Sequence, residues 1–191
     1  MERTDVKKDV KIGIIGKGFV GSAVAHGFSH QTSYGANIKI YDVDPERSQN
    51  TLDETVNDSD FIFLSVPTPS DSAGNMDLSI VDNALDEINK VNKNSSNIVL
   101  LRSTVVPGTT KMFQEKFPNL RFVFNPEFLT ERSAAFDFIN QTRVILGGKT
   151  EYTSLVKKLY QDRFGSFLPV VQTNFQTAEL IKYMNNLFFA T

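Results

Sequence analysis

A short glycine-rich segment near the start of the chain limits the folds that the chain can adopt. Gly16, Gly18 and Gly21 form the pattern G-x-G-x-x-G directly behind the apolar run 12–15, and a helix-like stretch follows. In a strand–turn–helix unit, the first glycine allows a tight turn and the second lets backbone amides approach a pyrophosphate. The third lets the helix pack closely on the strand. The phosphate then lies at the positive N-terminus of the helix.

An acidic residue follows at the distance that a dinucleotide site requires. Asp42 ends the segment Ile-Lys-Ile-Tyr-Asp, twenty-one residues beyond Gly21. In such units, an acid at about this distance accepts hydrogen bonds from the adenosine ribose. The combination of strand, glycine loop, helix and acid therefore predicts a dinucleotide site. Asp42 would repel the 2′-phosphate of NADP, which favours NAD, although Arg47 is a side chain that can accommodate such a phosphate.

The length and composition of the chain limit the classes of protein to which it can belong. The 191 residues suit one well-packed domain, and a charged content of 22% with a net charge of −2 gives no sign of a nucleic-acid or membrane partner. The segment 1–9 lacks the apolar core of a secretory signal, so we expect a flexible leader and a cytoplasmic protein. The sequence contains no cysteine, which excludes disulfides, thiolate metal sites and a cysteine nucleophile within these residues.

Apolar runs alternate with helix-like stretches along most of the chain. Strands are predicted at 12–15, 38–41, 61–66, 98–101, 122–124 and 144–146, and helices at 21–29, 78–91, 110–117 and 151–164. This alternation favours a parallel sheet covered on both faces. We therefore predict an α/β fold, a Rossmann-like, doubly wound and mostly parallel sheet that ends in a long apolar helix. The acidic segment 53–60 is interpreted as a solvated loop.

Three polar segments carry residues suited to chemistry. Segment 103–110 follows one predicted strand, and segment 125–131, with Glu127 and Glu131, follows the next. In open α/β sheets, ligands bind outside the carboxyl ends of the strands, so both segments are predicted to lie at the ligand edge. In the third segment, Lys182 and Asn186 are four residues apart and share one face of a predicted helix.

Together these segments resemble the UDP-glucose/GDP-mannose dehydrogenase family, whose members use NAD to oxidise the C6 alcohol of a nucleotide sugar to an acid. The resemblance covers nearly the whole chain and follows the family's order. It implies NAD as the cofactor and a nucleotide sugar, first of all UDP-glucose, as the substrate. The motifs that carry it are 16–21, Asp42 with Arg47, 65–69, 103–109, 125–131 and 178–186.

The resemblance also implies roles for individual residues. As hydride leaves C6, Lys182 and Asn186 would stabilise the developing oxyanion, and Glu127 would accept the hydroxyl proton directly or through water. Thr104 would complete the catalytic set, and Phe128 and Leu129 would bind the sugar nucleotide beside Glu127, Lys182 and Asn186. The residues expected to bind NAD are Gly16, Gly18, Phe19, Val20, Gly21, Asp42, Arg47, Val66, Pro67, Thr68, Ser103, Thr104 and Glu131.

One departure from the family pattern is large. Family members continue through the Lys182 helix into a second domain that supplies a catalytic cysteine, whereas this sequence ends at Thr191 and has no cysteine. We therefore expect a leader at 1–9, an NAD-binding domain at 10–172, and the start of a central linker or dimerisation helix at 173–191, with the second domain absent. The alcohol-to-aldehyde half reaction is then the most that the chain alone can perform. The terminal helix is expected to pair in a homodimer or with the missing domain.

Three functions remain open from the sequence. The first is a nucleotide-sugar 6-dehydrogenase, for the whole reaction or half of it, and the second is a non-catalytic NAD-binding or dimerisation module derived from that family. The third is a Rossmann dehydrogenase of the 3-hydroxyacid or 6-phosphogluconate type, against which the segment 125–129, Asn-Pro-Glu-Phe-Leu, argues. His26 and His30 are spaced like metal ligands on the first predicted helix, but no third ligand is evident, so no metal site is predicted.

Overall fold

A seven-stranded sheet with helices on both faces forms the body of the protein, as described for residues 10–190 by a computed structural model. The predicted leader, 1–9, lies outside the described residues. The strands are β1 (Lys11–Ile15), β2 (Asn37–Tyr41), β3 (Phe61–Leu64), β4 (Ile98–Leu101), β5 (Phe122–Phe124), β6 (Val144–Gly148) and β7 (Val170–Thr173). The helices are α1 (Phe19–Phe28), α2 (Leu52–Asn57), α3 (Ser79–Val91), α4 (Thr109–Lys116), α5 (Ala134–Ile139), α6 (Thr150–Phe164) and α7 (Phe175–Ala190). Two short 3-10 helices span His30–Thr32 and Glu131–Ser133.

The order of the strands creates a crevice at one edge of the sheet. The strands lie in the order β2-β1-β3-β4-β5-β6-β7, and all neighbours are parallel except β5 and β6. The predicted α/β fold with a mostly parallel sheet is thereby confirmed. The chain runs outward from β1 to β2 and then crosses back to β3 on the other side of β1. Such a reversal leaves a crevice at the carboxyl ends of β1 and β3, where ligands bind in folds of this kind.

Two apolar cores lie on the two faces of the sheet. Successive strand residues alternate between them, so Ile14 and Phe63 pack in one core while Ile15 and Leu64 pack in the other. Because both faces are covered, the central strands are apolar along their whole length, which is why they stood out in the sequence.

Phenylalanine and tyrosine rings fill much of the first core. The ring centroids of Phe28 and Phe138 are 5.7 Å apart, and Phe138 and Phe164 are separated by the same distance, both pairs meeting edge to face. Such pairs contribute about 0.5–1.5 kcal/mol beyond the burial of their area. Gly27 makes this packing possible, since a Cβ at this position would lie 2.2 Å from the Phe138 ring. These aromatic residues therefore have a structural role.

The acidic segment 53–60 is not a loop throughout, and the interpretation of it as one is wrong for the residues of α2. Thr51 caps this helix by accepting the N–H of Glu54 at 3.2 Å, and the Glu54 carboxylate accepts the N–H of Thr51 at 2.9 Å. The Thr51 N–H and the Thr51 hydroxyl both donate to the Glu54 carboxylate, and these two hydrogen bonds lower the pKa of Glu54 below its usual value. The pattern Thr-x-x-Glu was present in the sequence, but the acidic composition concealed it.

Several predicted boundaries also differ from the structure. The strand predicted at 61–66 ends at Leu64, since Pro67 follows closely and proline cannot donate to a strand ladder. The strand β7 was not predicted; it is a partly exposed edge strand that pairs only with β6 in this sheet. Helix α1 ends at Phe28, so His30 lies beyond it and the two histidines do not share one helix.

The last described element is a helix of 16 residues, α7, as the sequence predicts, but it is not apolar all round. It buries the charged residues Glu179 and Lys182 on its inner face, while Leu180 and Met184 are more than half exposed. Charged side chains thus lie on the face that an apolar helix would fill with aliphatic ones. Among the helices within 10–190, none combines the length and the apolar character that crossing a membrane requires.

Candidate functional site

The glycine loop joins β1 to α1 at the crevice. Gly16 has a φ of +90°, and a Cβ there would lie 2.8 Å from the carbonyl oxygen of Ser65. A Cβ at Gly21 would lie 2.0 Å from the carbonyl oxygen of Gly16, so any side chain would force α1 away from the turn. At Gly18 a Cβ would meet no atom of residues 10–190 within 4 Å. Packing therefore requires the first and third glycines, whereas the second borders open space.

The start of α1 is suited to an anion. Gly18 is its N-cap and supplies no side-chain hydrogen bond, and the first turn contains no acidic residue. The first amides of a helix lack partners within the helix and carry its positive dipole end. Open space over Gly18 and helix-start amides that have no partner among the described residues are what a pyrophosphate needs, so this loop fits the dinucleotide that the sequence predicts.

Asp42 stands beside the glycine loop at the carboxyl end of β2. Its carboxylate accepts the backbone N–H of Lys17 at 2.6 Å and that of Asp44 at 2.9 Å. The acid is thus held where the second strand meets the loop, which is the position expected of a ribose partner. Arg47 is exposed, and its guanidinium pairs with Asp44 at 3.2 Å.

The loops after β3 and β4 meet at the other side of the crevice. The Ser103 hydroxyl donates to the carbonyl oxygen of Val66 at 2.6 Å, and the Thr68 hydroxyl donates to that of Thr104 at 2.8 Å. Four residues expected to bind NAD are therefore brought together. The adjoining Ser65 is the residue against which Gly16 packs, so these loops border the glycine loop.

A buried ion pair lies at the carboxyl end of β5. The ammonium of Lys182, on α7, donates to the Glu127 carbonyl oxygen at 2.5 Å and to its carboxylate Oε1 at 3.0 Å. Only 5% of the Lys182 side chain and 12% of the Glu127 side chain are exposed. The second carboxylate oxygen accepts the N–H of Leu129 at 2.6 Å, which fixes the orientation of the acid. The structure thus joins two predicted site residues that are 55 positions apart.

A cleft of about 600 Å³ opens beside this pair. Asn186 lines it one turn of helix beyond Lys182, and the ring of Phe128 lies under the Lys182 ammonium, which is 5.4 Å from the ring centroid. Glu131 is exposed and is not among the described residues that line the cleft. The lining residues that bear charge are Arg102, Glu127, Asp137, Arg143 and Lys182.

Beneath the cleft lies a polar network that the sequence did not reveal. Arg102 is 3% exposed, and one of its terminal nitrogens donates to Asn125 at 2.7 Å and to the Tyr160 hydroxyl at 3.1 Å. The Tyr160 hydroxyl itself donates to Asn125 at 2.6 Å. This network fixes the end of β5 two residues before Glu127. Its one sequence signal is an arginine directly behind the apolar run of β4.

Burial raises the pKa of Tyr160 above its usual value of 10.0, and nearby Arg102 opposes that effect. The neutral phenol is therefore favoured by folding, and its stabilisation is complete below pH 10 and lost as pH rises through the folded pKa. We expect Tyr160→Phe to lose about 1–2 kcal/mol at pH 8, because Arg102 and Asn125 lose a partner. The deficit should shrink at higher pH, as urea unfolding of both proteins between pH 8 and 11 would measure. A deficit that grows with pH would contradict this assignment.

The two histidines do not form a metal site in the described structure. The Nδ1 of His26 lies 3.1 Å from the Gln31 side-chain oxygen, which gives this ring a protein partner. Within residues 10–190, no group of three histidine, aspartate or glutamate side chains is placed to hold a metal ion.

Comparison with known proteins agrees with this geometry. Residues 47–163 match the model of the NAD binding domain of the UDP-glucose/GDP-mannose dehydrogenase family. UDP-glucose 6-dehydrogenase AglM of Haloferax volcanii is 30% identical over 95% of this chain, and UDP-glucose 6-dehydrogenase TuaD of Bacillus subtilis is 34% identical over 74% of it. The chain covers 52% and 32% of these relatives, respectively.

Solved structures show the same relationship. The structure of a ternary complex of GDP-mannose dehydrogenase from Pseudomonas aeruginosa matches 94% of this chain with a TM-score of 0.80 and 25% identity. A UDP-glucose dehydrogenase from the archaeon Pyrobaculum islandicum matches 100% of the chain with the same TM-score and identity. In both cases the chain spans about half of the solved protein, 50% and 51%.

Proposed function

The chain belongs to the UDP-glucose/GDP-mannose dehydrogenase family and carries its NAD-binding domain, and from this premise we propose that it oxidises the C6 alcohol of a nucleotide sugar to an aldehyde. NAD would lie at the glycine loop, and the sugar would lie in the cleft beside Lys182. The buried Lys182–Glu127 pair carries the proposal, because it places a cation and an oriented acid together at the ligand edge of the sheet. When bound, NAD⁺ supplies the hydride acceptor for this reaction.

Lys182 is suited to stabilise the oxygen from which the proton departs. A lysine ammonium has three N–H donors, and Glu127 accepts two of them through its carbonyl and carboxylate oxygens. No further acceptor for Lys182 is found among residues 10–190, so the third donor is available for a substrate oxygen. Since this ammonium is already held in place in a mostly buried position, little reorganisation would be needed as negative charge develops on that oxygen.

Glu127 is the proposed proton acceptor. Its carboxylate is oriented from two sides, by the Leu129 amide and by Lys182, so we propose that the hydroxyl proton reaches it through water. Asn186 lies on the exposed side of the same cleft and would contribute an amide to the sugar hydroxyls. The proposal for these residues ends at the aldehyde, because the 191 residues contain no cysteine for the second oxidation.

UDP-glucose is the substrate to test first, because the relatives named above carry it in their names.

We also propose a second copy of this chain as a partner. The exposed apolar side chains Leu180, Tyr183 and Met184 on the outer face of α7 support this proposal, since such a surface is usually covered.

The experiment that tests the function combines binding with turnover. NAD affinity is measured by calorimetry, and NADH formation is followed by absorbance after UDP-glucose is added. NADH formation would support the dehydrogenase. NAD binding without NADH would favour a second candidate, an NAD-binding module without catalysis. A chain that binds no NAD would overturn both.

Choice of cofactor gives a separate prediction at Asp42. If its carboxylate binds the ribose hydroxyls, Asp42→Ala should weaken NAD binding by about tenfold or more, from the loss of charge-assisted hydrogen bonds. Binding of NADP should weaken less, because the acid repels its 2′-phosphate. Calorimetry with both cofactors is the measurement, and Asp44→Ala, which removes a neighbouring acid, is the control. Equal losses for the two cofactors would refute the role.

A further inference from the structure

Glu179 is a buried carboxylate that the proposed chemistry does not use. Its side chain has no exposed surface, and no lysine or arginine of the described part of the chain forms an ion pair with it. Instead, its two oxygens accept backbone amides: Oε2 accepts the N–H of Gly108 at 2.6 Å, and Oε1 accepts that of Thr110 at 2.7 Å. A buried carboxylate is costly unless it is hydrogen-bonded in this way.

The two amides lie at the start of α4. Gly108 is the N-cap of this helix, has a φ of +100° and supplies no capping side chain. The Glu179 carboxylate therefore takes the place of a capping side chain. It lies on α7, 69 residues after Thr110 in the chain. Its charge meets the positive end of the α4 dipole, and both hydrogen bonds are charge-assisted. The carboxylate thereby fixes the register of α7 against α4.

The loop that ends at Gly108 belongs to the cofactor side of the crevice. It begins with Ser103 and Thr104, which are hydrogen-bonded to the loop after β3 at Val66 and Thr68. The loop 103–108 is thus held at one end by the residues that border the glycine loop. At its other end it is held by Glu179.

On the other side of this anchor lies the buried ion pair. Lys182 follows Glu179 by three positions, so the two side chains leave α7 on the same face, one turn apart. A helical turn is stiff, because its backbone hydrogen bonds fix the rise and rotation per residue. A shift of Glu179 would therefore move Lys182 relative to Glu127.

We propose that Glu179 is a positioning residue, which holds the loop 103–108 and Lys182 in one fixed arrangement and so couples the cofactor loop to the Lys182–Glu127 pair. The part that concerns NAD rests on the proposed function. The anchoring of Lys182 does not, since it follows from contacts within the chain.

The substitution Glu179→Gln tests this coupling. Glutamine keeps the shape, but its amide NH₂ would face a backbone N–H, so one of the two bonds is lost. The folded proteins are treated with acetic anhydride, and acetylation of Lys182 is measured by mass spectrometry against that of the exposed Lys158. Loss of a buried charged hydrogen bond should accelerate Lys182 acetylation about tenfold or more. In the original protein NAD should slow this reaction, and in Glu179→Gln it should have no effect.

Two further variants separate positioning from general stability. Ile88→Val removes one buried methyl group from α3 and is expected to leave Lys182 acetylation unchanged. Glu179→Asp keeps the charge on a shorter stem that reaches one amide, and should give a rate between those of the original and the glutamine variant. Because acetylation needs no ligand, its outcome without NAD decides the anchoring even if the chain binds no NAD and the proposed function fails.

The proposal is overturned if Lys182 reacts equally fast with and without the Glu179 carboxylate. It is also overturned if Ile88→Val accelerates Lys182 acetylation as much as Glu179→Gln does. The same holds if Lys182 is acetylated as fast in Glu179→Asp as in Glu179→Gln. If NAD slows the reaction equally in the original protein and in Glu179→Gln, the coupling to the cofactor loop is refuted.

Discussion

Replacing Gly21 by alanine is expected to destabilise the fold by about 3 kcal/mol and to abolish measurable NAD binding. The new Cβ would lie 2.0 Å from the carbonyl oxygen of Gly16 and 3.1 Å from a methyl group of Ile14. Neither the oxygen nor β1 can move freely, because the Gly16 amide is hydrogen-bonded to Tyr41 at 3.0 Å. Helix α1 must therefore move away from the strand, and its first amides move with it.

Gly18 provides the matched control for this prediction. A Cβ at Gly18 would meet no atom of the described part of the chain within 4 Å, and the φ of −75° at Gly18 is one that alanine adopts readily. We expect Gly18→Ala to change the free energy of unfolding by less than about 0.5 kcal/mol. If the pyrophosphate approaches the backbone here, the added methyl group should still weaken NAD binding by about 100-fold.

Urea unfolding and calorimetric titration of NAD on both variants are the measurements. A stable Gly18→Ala protein with reduced affinity would separate the role of the loop in binding from its role in folding. Unchanged affinity in Gly18→Ala would show that the cofactor does not pass over this position. A Gly21→Ala protein of normal stability would show that α1 can shift at little cost.

The fold was predictable because its signals are local. The glycine loop needs only a strand, a turn and a helix in sequence, and the central strands are apolar because both of their faces are buried. The loop predicted at 53–60 failed because of another local signal: the capping box from Thr51 to Glu54 starts α2 within this acidic segment. The edge strand β7 has only four residues and a partly exposed surface, so its pattern was too weak to recognise.

The site was less predictable, because its contacts join distant parts of the chain. Glu127 and Lys182 were singled out from their segments and given roles by the family resemblance, but nothing in the local sequence indicates that they form an ion pair. The network of Arg102, Asn125 and Tyr160 requires β4, β5 and α6 to be assembled first. Pairing rules along one strand or helix cannot reveal such networks, since they depend on which elements become neighbours.

Lys182→Met should produce the second large effect, a destabilisation of about 3 kcal/mol, because it leaves the Glu127 carboxylate mostly buried without its cation. Methionine fills a similar volume, so the lost charge is the main change. Adding Glu127→Gln to this variant should restore part of the stability, since the glutamine oxygen can still accept the Leu129 amide without a charge. A coupling of about 1–3 kcal/mol between the two positions is therefore expected.

A double-mutant cycle by urea unfolding at pH 7 measures this coupling. If the change in free energy of unfolding in the double variant equals the sum of the two single changes, the interaction between Lys182 and Glu127 contributes nothing to folding. Turnover distinguishes the two roles of the pair. If the proposed oxidation occurs, Lys182→Met and the double variant should both lose about 100-fold or more in rate, because neither has a cation for the developing oxyanion. Stability is thus partly restored in the double variant while activity is not, and that combination separates the role of the Lys182–Glu127 pair in the reaction from its role in folding.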